Sequence, residues 1–324
     1  MNRYSVYGLT LESSYAFRTP MADAEPGAPV NLRFTFRVAP ISDQPEKERV
    51  YASAEKAATG RSLVEIRRES ALHRVSFSGV VEFVITPPSP GTVGEIACTI
   101  AEAEREYMVE VCLFGHVLAY YLESTGVLAL HAGAVEIDRR AVLFVADRTG
   151  GKSTVVSAFA ASGCPLIADD IAAVETESGV PVCRRAYPQL KMTPDHAARA
   201  LGSSDGYERV HPAFEKLSVP VGAVGSFARG ALPLACMYLL EREAGADGAI
   251  RITDVPQAQA VVHLVRHSFL AGIIDETEFR LARFARIAEI ARRVRVARIA
   301  YPSGLDRLPE LIAAVVADVR RARK

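Results

Sequence analysis

Apolar and polar residues alternate with a period of two through Asn31-Leu32-Arg33-Phe34-Thr35-Phe36-Arg37-Val38 and again through 73–83. That is the pattern of strands with one buried face. Residues 39–47 between them are rich in Pro, Asp, Ser and Glu and read as an exposed loop. A second breaker, Pro87-Pro88-Ser89-Pro90-Gly91, closes this stretch. From 102 to 123 the period becomes helical, with Met108, Val111, Cys112, Val117 and Leu118 on or near one face. This divides the chain into a β-rich N-terminal region, 1–105, and a second domain, 106–324, entered through that helix.

The second part opens with strand-like runs at 127–137 and 141–146, joined by a hairpin turn at Asp138-Arg139-Arg140. A helix is expected over 152–162, stopped by Gly163. Pro165-Leu166-Ile167-Ala168 then forms a short apolar strand that delivers Asp169 and Asp170. Residues 180–230 are punctuated by Pro and Gly and give no clear period, whereas 234–240 reads as another buried strand. Two or three amphipathic helices follow Pro256, then a strand at 295–300 and a closing helix at 308–323. The fold class is therefore α/β.

Composition narrows the partners. Lys and Arg number 38, as do Asp and Glu, so nothing in the net charge suggests nucleic acid or an anionic membrane. The basic tip from Arg320 to Lys324 reads as a solvated helix end that complements the dipole. Five cysteines without zinc or CxxC spacing imply buried free thiols and a reducing cytoplasm. No run of 18 apolar residues occurs, and the N-terminus lacks the apolar core of a signal peptide.

The strongest chemical signal is Ala146-Asp147-Arg148-Thr149-Gly150-Gly151-Lys152-Ser153, which fits G-x-x-x-x-G-K-[ST] except for alanine at the first position. A strand ends, the loop turns its N–H groups inward as an anion nest, and a helix N-terminus adds its dipole. Gly150 and Gly151 admit the phosphates closely, Lys152 places a charge on the β/γ oxygens, and Ser153 offers a hydroxyl to Mg²⁺. Alanine at position 146 is acceptable provided its backbone does not need positive φ. The bound nucleotide would be ATP, contacted by the loop through Thr154. A carboxylate at a neighbouring strand end is needed for the metal. Asp169 and Asp170 stand in that place, one to orient Mg²⁺ and the other to accept a proton from an attacking hydroxyl.

His131, Lys152, Asp169 and Asp170 resemble, in order and spacing, the catalytic domain of HPr kinase/phosphorylase. His131 precedes Lys152 by 21 residues (152 − 131) and Asp169 follows it by 17 (169 − 152). The run Leu166-Ile167-Ala168-Asp169-Asp170 is similar to the family's segment before its aspartates. The resemblance covers about 130–172 and implies a P-loop nucleotide core of the HPr kinase/phosphoenolpyruvate carboxykinase kind. It assigns Asp169 as base, Asp170 with Ser153 on the metal side, and catalytic roles to His131 and Arg229. Thr154 stands where that family has an acidic residue, and the long N-terminal domain of HPr kinases is absent or replaced. The whole chain is more similar to the HPr-kinase-like proteins of lasso-peptide clusters. The segments carrying that likeness are Tyr7-Gly8-Leu9-Thr10-Leu11, Tyr187-Pro188-Gln189-Leu190-Lys191 and Glu215-Lys216-Leu217-Ser218-Val219-Pro220. Lys191 and Lys216 then become candidates for contacting substrate or nucleotide.

What this implies is an ATP- and Mg²⁺-dependent kinase that phosphorylates a serine hydroxyl of a peptide or protein, with a lasso precursor as the acceptor. A homo-oligomer is left open. Two alternatives stand beside it: a non-catalytic nucleotide-sensing or peptide-recruiting module, and a kinase acting on HPr or a small molecule. His263 and His267 are spaced i,i+4, but Leu264-Val265-Arg266 between them supplies no HExxH glutamate, so they are not read as a metal site.

Overall fold

A computed structural model describes residues 1–41, 47–147, 150–212, 214–243 and 248–322. The protein is a mixed α/β structure with more than one sheet, divided into two compact units. One comprises Met1–Val127 with Leu270–Leu281, the other Leu128–Phe269 with Ala282–Lys324.

The first unit is built on nine strands: β1 (Asn2–Val6), β2 (Leu9–Ser13), β3 (Ala22–Asp23), β4 (Leu32–Val38), β5 (Glu48–Ala52), β6 (Val64–Glu69), β7 (Leu72–Phe77), β8 (Val81–Thr86) and β9 (Gly94–Ile100). Their order in the sheet is β3-β1-β2-β4-β9-β8-β7-β6-β5. The alternating run at 73–83 proves to be two strands. Ser78 and Gly79, at φ 54° and 71°, turn the chain back on itself, and the period survives because both strands bury the same face.

The helical run also departs from expectation. It forms α1 (Tyr107–Cys112), a π-helical turn (Leu113–Val117) and α2 (Leu118–Ser124), and it belongs to the first unit, so the boundary falls at 127 rather than 105. The reason is packing. Phe114 meets Phe17 at 5.4 Å between ring centres, His116 meets Phe77 at 5.9 Å, and Tyr120 meets His73 at 5.4 Å. These rings bury the helical face on the nine-stranded sheet, where it removes apolar surface from water.

The second unit runs through β10 (Leu128–Ile137), β11 (Arg140–Val145), α3 (Lys152–Ala161), β12 (Leu166–Ala168), β13 (Ile171–Glu177), β14 (Val180–Arg184), β15 (Gln189–Met192), α4 (Pro194–Leu201), β16 (Leu217–Pro220), β17 (Leu232–Glu243), β18 (Arg251–Asp254) and α5 (Gln257–Arg266). After α6 (Ala271–Ile274), which lies in the segment of the first unit, come α7 (Arg280–Arg293), β19 (Arg295–Pro302) and α8 (Leu308–Arg321). The unassigned stretch 180–230 thus contains three strands and a helix.

Asp138 and Arg139, at φ 49° and 63°, make the expected hairpin turn between β10 and β11. The main sheet follows the order β11-β10-β13-β14-β17-β19-β18, with β12 added on β10 and β11 also paired to β17 in parallel. β15 and β16 form a separate two-stranded ribbon. Phe144 of β11, Val156 and Phe159 of α3, Tyr238 of β17 and Val315 of α8 are fully buried in one cluster. That cluster holds α3 on the sheet and fixes where its N-terminus starts.

The topology sets the site. β10 lies between β11 and β12 and runs antiparallel to both, so those two strands end at the same edge. Val145 at the end of β11 is opposite Ala132, and Ala168 at the end of β12 is opposite Ala134. His131, the loop after β11 and the two aspartates after β12 therefore converge without any long connection.

Candidate functional site

The loop from Ala146 to Gly151 joins β11 to α3; Arg148 and Thr149 lie outside the described residues. Ala146 is not among the residues with positive φ, so the one departure from the motif costs no backbone strain. Gly151 has φ 89° and is the N-cap of α3, so the cap position itself supplies no side-chain bond to the helix's first N–H groups. Gly150 sits in the tightest place of the loop. A Cβ there would fall 2.7 Å from the Cβ of Ala146 and 2.9 Å from the carbonyl oxygen of Asp147. An uncapped helix start behind a glycine turn leaves amide donors open to an anion.

Lys152, the first residue of α3, is 7% exposed. Its ammonium donates to the carbonyls of Ala146 and Asp147, at 2.7 and 3.1 Å. Burial lowers its pKa to about 8, partly offset by the charge of Asp170. Lys216 and Asp169 also act on that charge, so the loop lysine, both aspartates and Lys216 share one electrostatic neighbourhood. Ser153 and Thr154 are half-buried in the first turn of α3.

The two aspartates differ sharply. Asp169 is buried, with Oδ2 accepting the Lys191 N–H at 2.5 Å. Its other oxygen, Oδ1, is buried with no hydrogen-bond partner. Burial pushes its pKa up to about 6 against the opposing Lys191 N–H. Asp170 is also desolvated, but the Lys191 charge and His131 hold it well below the usual carboxylate range. Its Oδ2 accepts from the Lys191 ammonium at 2.6 Å, and Oδ1 stands 3.3 Å from His131 Nδ1. Burial would lower Lys191 in turn, yet Asp170 keeps it above the ordinary lysine value. One carboxyl is kept ionised and its neighbour is poised near neutrality, as an acid–base division needs.

The structure thus brings together His131, Lys152, Asp169, Asp170 and Lys191, with exposed Lys216 nearby. Lys191 is an internal partner of the aspartates rather than an outward contact. Arg229 is exposed, on the segment that leads to β17. Arg266 at the end of α5, which sequence reasoning gave no site role, and His267 just after it, weighed there only as a metal ligand, also reach the loop. Arg266 donates to Asp147 at 2.7 Å, and His267 Nδ1 lies 3.8 Å from the same carboxylate. The His267 carbonyl accepts the His131 N–H at 2.8 Å. Arg266 is 119 positions from its partner, and no local pattern could have signalled the contact.

These residues fit an Mg²⁺-nucleotide on their chemistry. No group of three or more His, Cys, Asp or Glu able to hold an ion occurs among the described residues. A nucleotide-borne Mg²⁺ takes only one or two protein oxygens, the rest coming from phosphates and water, and a serine hydroxyl and a carboxylate, as at Ser153 and Asp170, are oxygens of the right chemistry.

No protein-family model matches the chain, and no curated protein matches it. Among solved structures it is similar to the HPr(Ser) kinase/phosphatase from Coxiella burnetii, at 14% identity and a TM-score of 0.35. The match covers 60% of this chain and 90% of that one.

Proposed function

We propose that the protein is an ATP-dependent kinase that transfers the γ-phosphoryl group to a serine hydroxyl of a peptide or protein. The acceptor favoured by the sequence resemblance is a ribosomally made lasso precursor peptide, modified in the cytoplasm. The observation that carries this reading is the placement of two adjacent, differently bonded aspartates at the sheet edge where the glycine loop meets α3, Asp169 held by a main-chain N–H and Asp170 by an ammonium. A nucleotide-binding scaffold needs the loop but has no need of two adjacent carboxylates and a lysine bonded to both beside it.

The roles follow from position. The loop amides and the start of α3 bind the phosphate chain, and Lys152 exchanges its two loop carbonyls for phosphate oxygens. Bound Mg²⁺ would neutralise charge on the transferring group, held through Ser153 and Asp170. His131 keeps Asp170 oriented. Asp169 Oδ1 takes the acceptor's hydroxyl proton as the new O–P bond forms. The bond from the γ-phosphorus to the β,γ-bridging oxygen breaks, and its electron pair leaves with ADP. Exposed Lys216, whose charge acts on Asp169, meets acceptor or nucleotide, and Arg229 is the remaining candidate for the transferring phosphate.

The test is mass spectrometry of candidate acceptors after incubation with Mg·ATP. Serine-containing precursor peptides should gain one phosphate and HPr little or none. Efficient labelling of HPr with none on any peptide would overturn the peptide assignment, and labelling of a small metabolite alone would move the protein to a different substrate class.

A further inference from the structure

The ribbon of β15 and β16 carries Lys191 opposite Ser218, with Lys216 just before its second strand. Lys191 makes two different bonds to two consecutive carboxylates. Its main-chain N–H reaches Asp169 Oδ2 at 2.5 Å and its ammonium reaches Asp170 Oδ2 at 2.6 Å. His131 Nδ1 lies 3.3 Å from Asp170 Oδ1, an ion-pair distance without a hydrogen bond. Asp169 Oδ1 is buried and has no hydrogen-bond partner among the described residues.

We propose that Lys191 is the positioning residue of the transfer reaction, holding Asp169 by its main-chain N–H and Asp170 by its ammonium, so that the unbonded oxygen of Asp169 is the one kept for the acceptor's proton. This rests on the kinase reading above. Consecutive carboxylates in a partly desolvated site repel each other, and a single cation set against one of them relieves that repulsion without neutralising both. The asymmetry of the two bonds also sorts the pair. Asp170 receives the charge and remains an anion for the metal side. Asp169 receives only a neutral amide, which fixes its carboxyl plane while leaving Oδ1 without a hydrogen bond among the described residues. In the balanced step, that proton passes from the acceptor oxygen to Asp169 Oδ1 while the γ-phosphoryl group moves to the same acceptor oxygen. Lys191 itself touches neither substrate.

The two arms can be separated, because substitution of the side chain leaves the main-chain bond in place. Lys191→Met should cut the arm to Asp170 alone. The experiment uses the full chain with Mg·ATP and water as acceptor, reading phosphate release, calorimetric ATP affinity and thermal midpoint. The expected result for Lys191→Met is a fall in kcat on the order of 10–100-fold, with KM and ATP affinity within about threefold. Lys191→Arg should recover part of the rate, since it restores a cation at the same place. If Lys191→Met folds poorly, Lys191→Gln and Lys191→Arg give the same split between rate and affinity. Unchanged kcat, or a loss confined to KM and affinity, would overturn the positioning role while leaving the kinase reading intact. An unmodified protein that neither binds Mg·ATP nor hydrolyses it would bring down both.

Discussion

Ala146 and Gly150 face each other across the glycine loop, and a Cβ on Gly150 would come within 2.7 Å of the Cβ of Ala146. Two small residues at these positions let the turn close. Gly150→Ala should force it open, weakening ATP binding by at least about tenfold and destabilising the fold by about 1–3 kcal/mol. Ala146→Gly, which restores the usual first residue of the motif, should leave affinity within about threefold. Calorimetry and denaturant melts on the two variants decide it, and equal affinities would show that the closure is irrelevant to binding.

Lys152 donates to the carbonyls of Ala146 and Asp147. Lys152→Ala removes both this tie and the phosphate anchor. ATP affinity should fall by on the order of 10²-fold or more. An affinity equal to that of the unmodified protein would place the nucleotide elsewhere.

Asp169→Asn and Asp170→Asn should fail in different ways. With the base gone but the shape kept, Asp169→Asn should bind ATP and lose turnover by on the order of 10²–10⁴-fold. Asp170→Asn should lose Mg·ATP affinity as well as rate, since its carboxylate is the one kept ionised. Single-turnover phosphorylation and ATP affinity measure the pair. Near-normal transfer by both variants would reduce the aspartates to a structural turn.

His267 gives a pH dependence of stability. Burial lowers its pKa from 6.5 to about 4, against the opposing pull of Asp147 and with Arg266, Lys152 and His263 reinforcing the shift. The native state therefore binds fewer protons than the unfolded chain between those values. Its contribution is complete above pH 6.5 and is lost as pH falls toward 4, up to about 3 kcal/mol. Chemical melts from pH 7.5 to 4.5 should show the unmodified protein losing more stability than His267→Gln. Parallel curves would show that the imidazole is not buried as a neutral ring.

Much of the second unit was legible in the residues. The turn at Asp138-Arg139, the strand ending in Asp169-Asp170 and the helix between Lys152 and Gly163 rest on local rules. Cys164 N–H bonds the Phe159 carbonyl and Gly163 N–H that of Ala160, both at 3.1 Å, with Gly163 at φ 95°. A glycine at that place specifies such a stop whatever the rest of the chain does. The stretch 180–230 resisted because its strands are short and two of them form a ribbon of their own, outside the main sheet. Four residues are too few to establish a period.

By itself, the sequence determined the glycine loop, its lysine, the two aspartates and the hairpin bearing His131, because backbone conformation and chain order impose them locally. Tertiary structure alone decided that the helix after residue 105 packs with the first sheet, since its apolar face could have been buried on either unit. It alone brought Arg266 to Asp147 across 119 positions. It also set Lys191 between the aspartates, because only the ribbon's path decides where a strand edge meets a carboxylate. The difference between Asp169 and Asp170 arises in the same way. Two identical side chains acquire different chemistry only from burial and from the charges placed beside them.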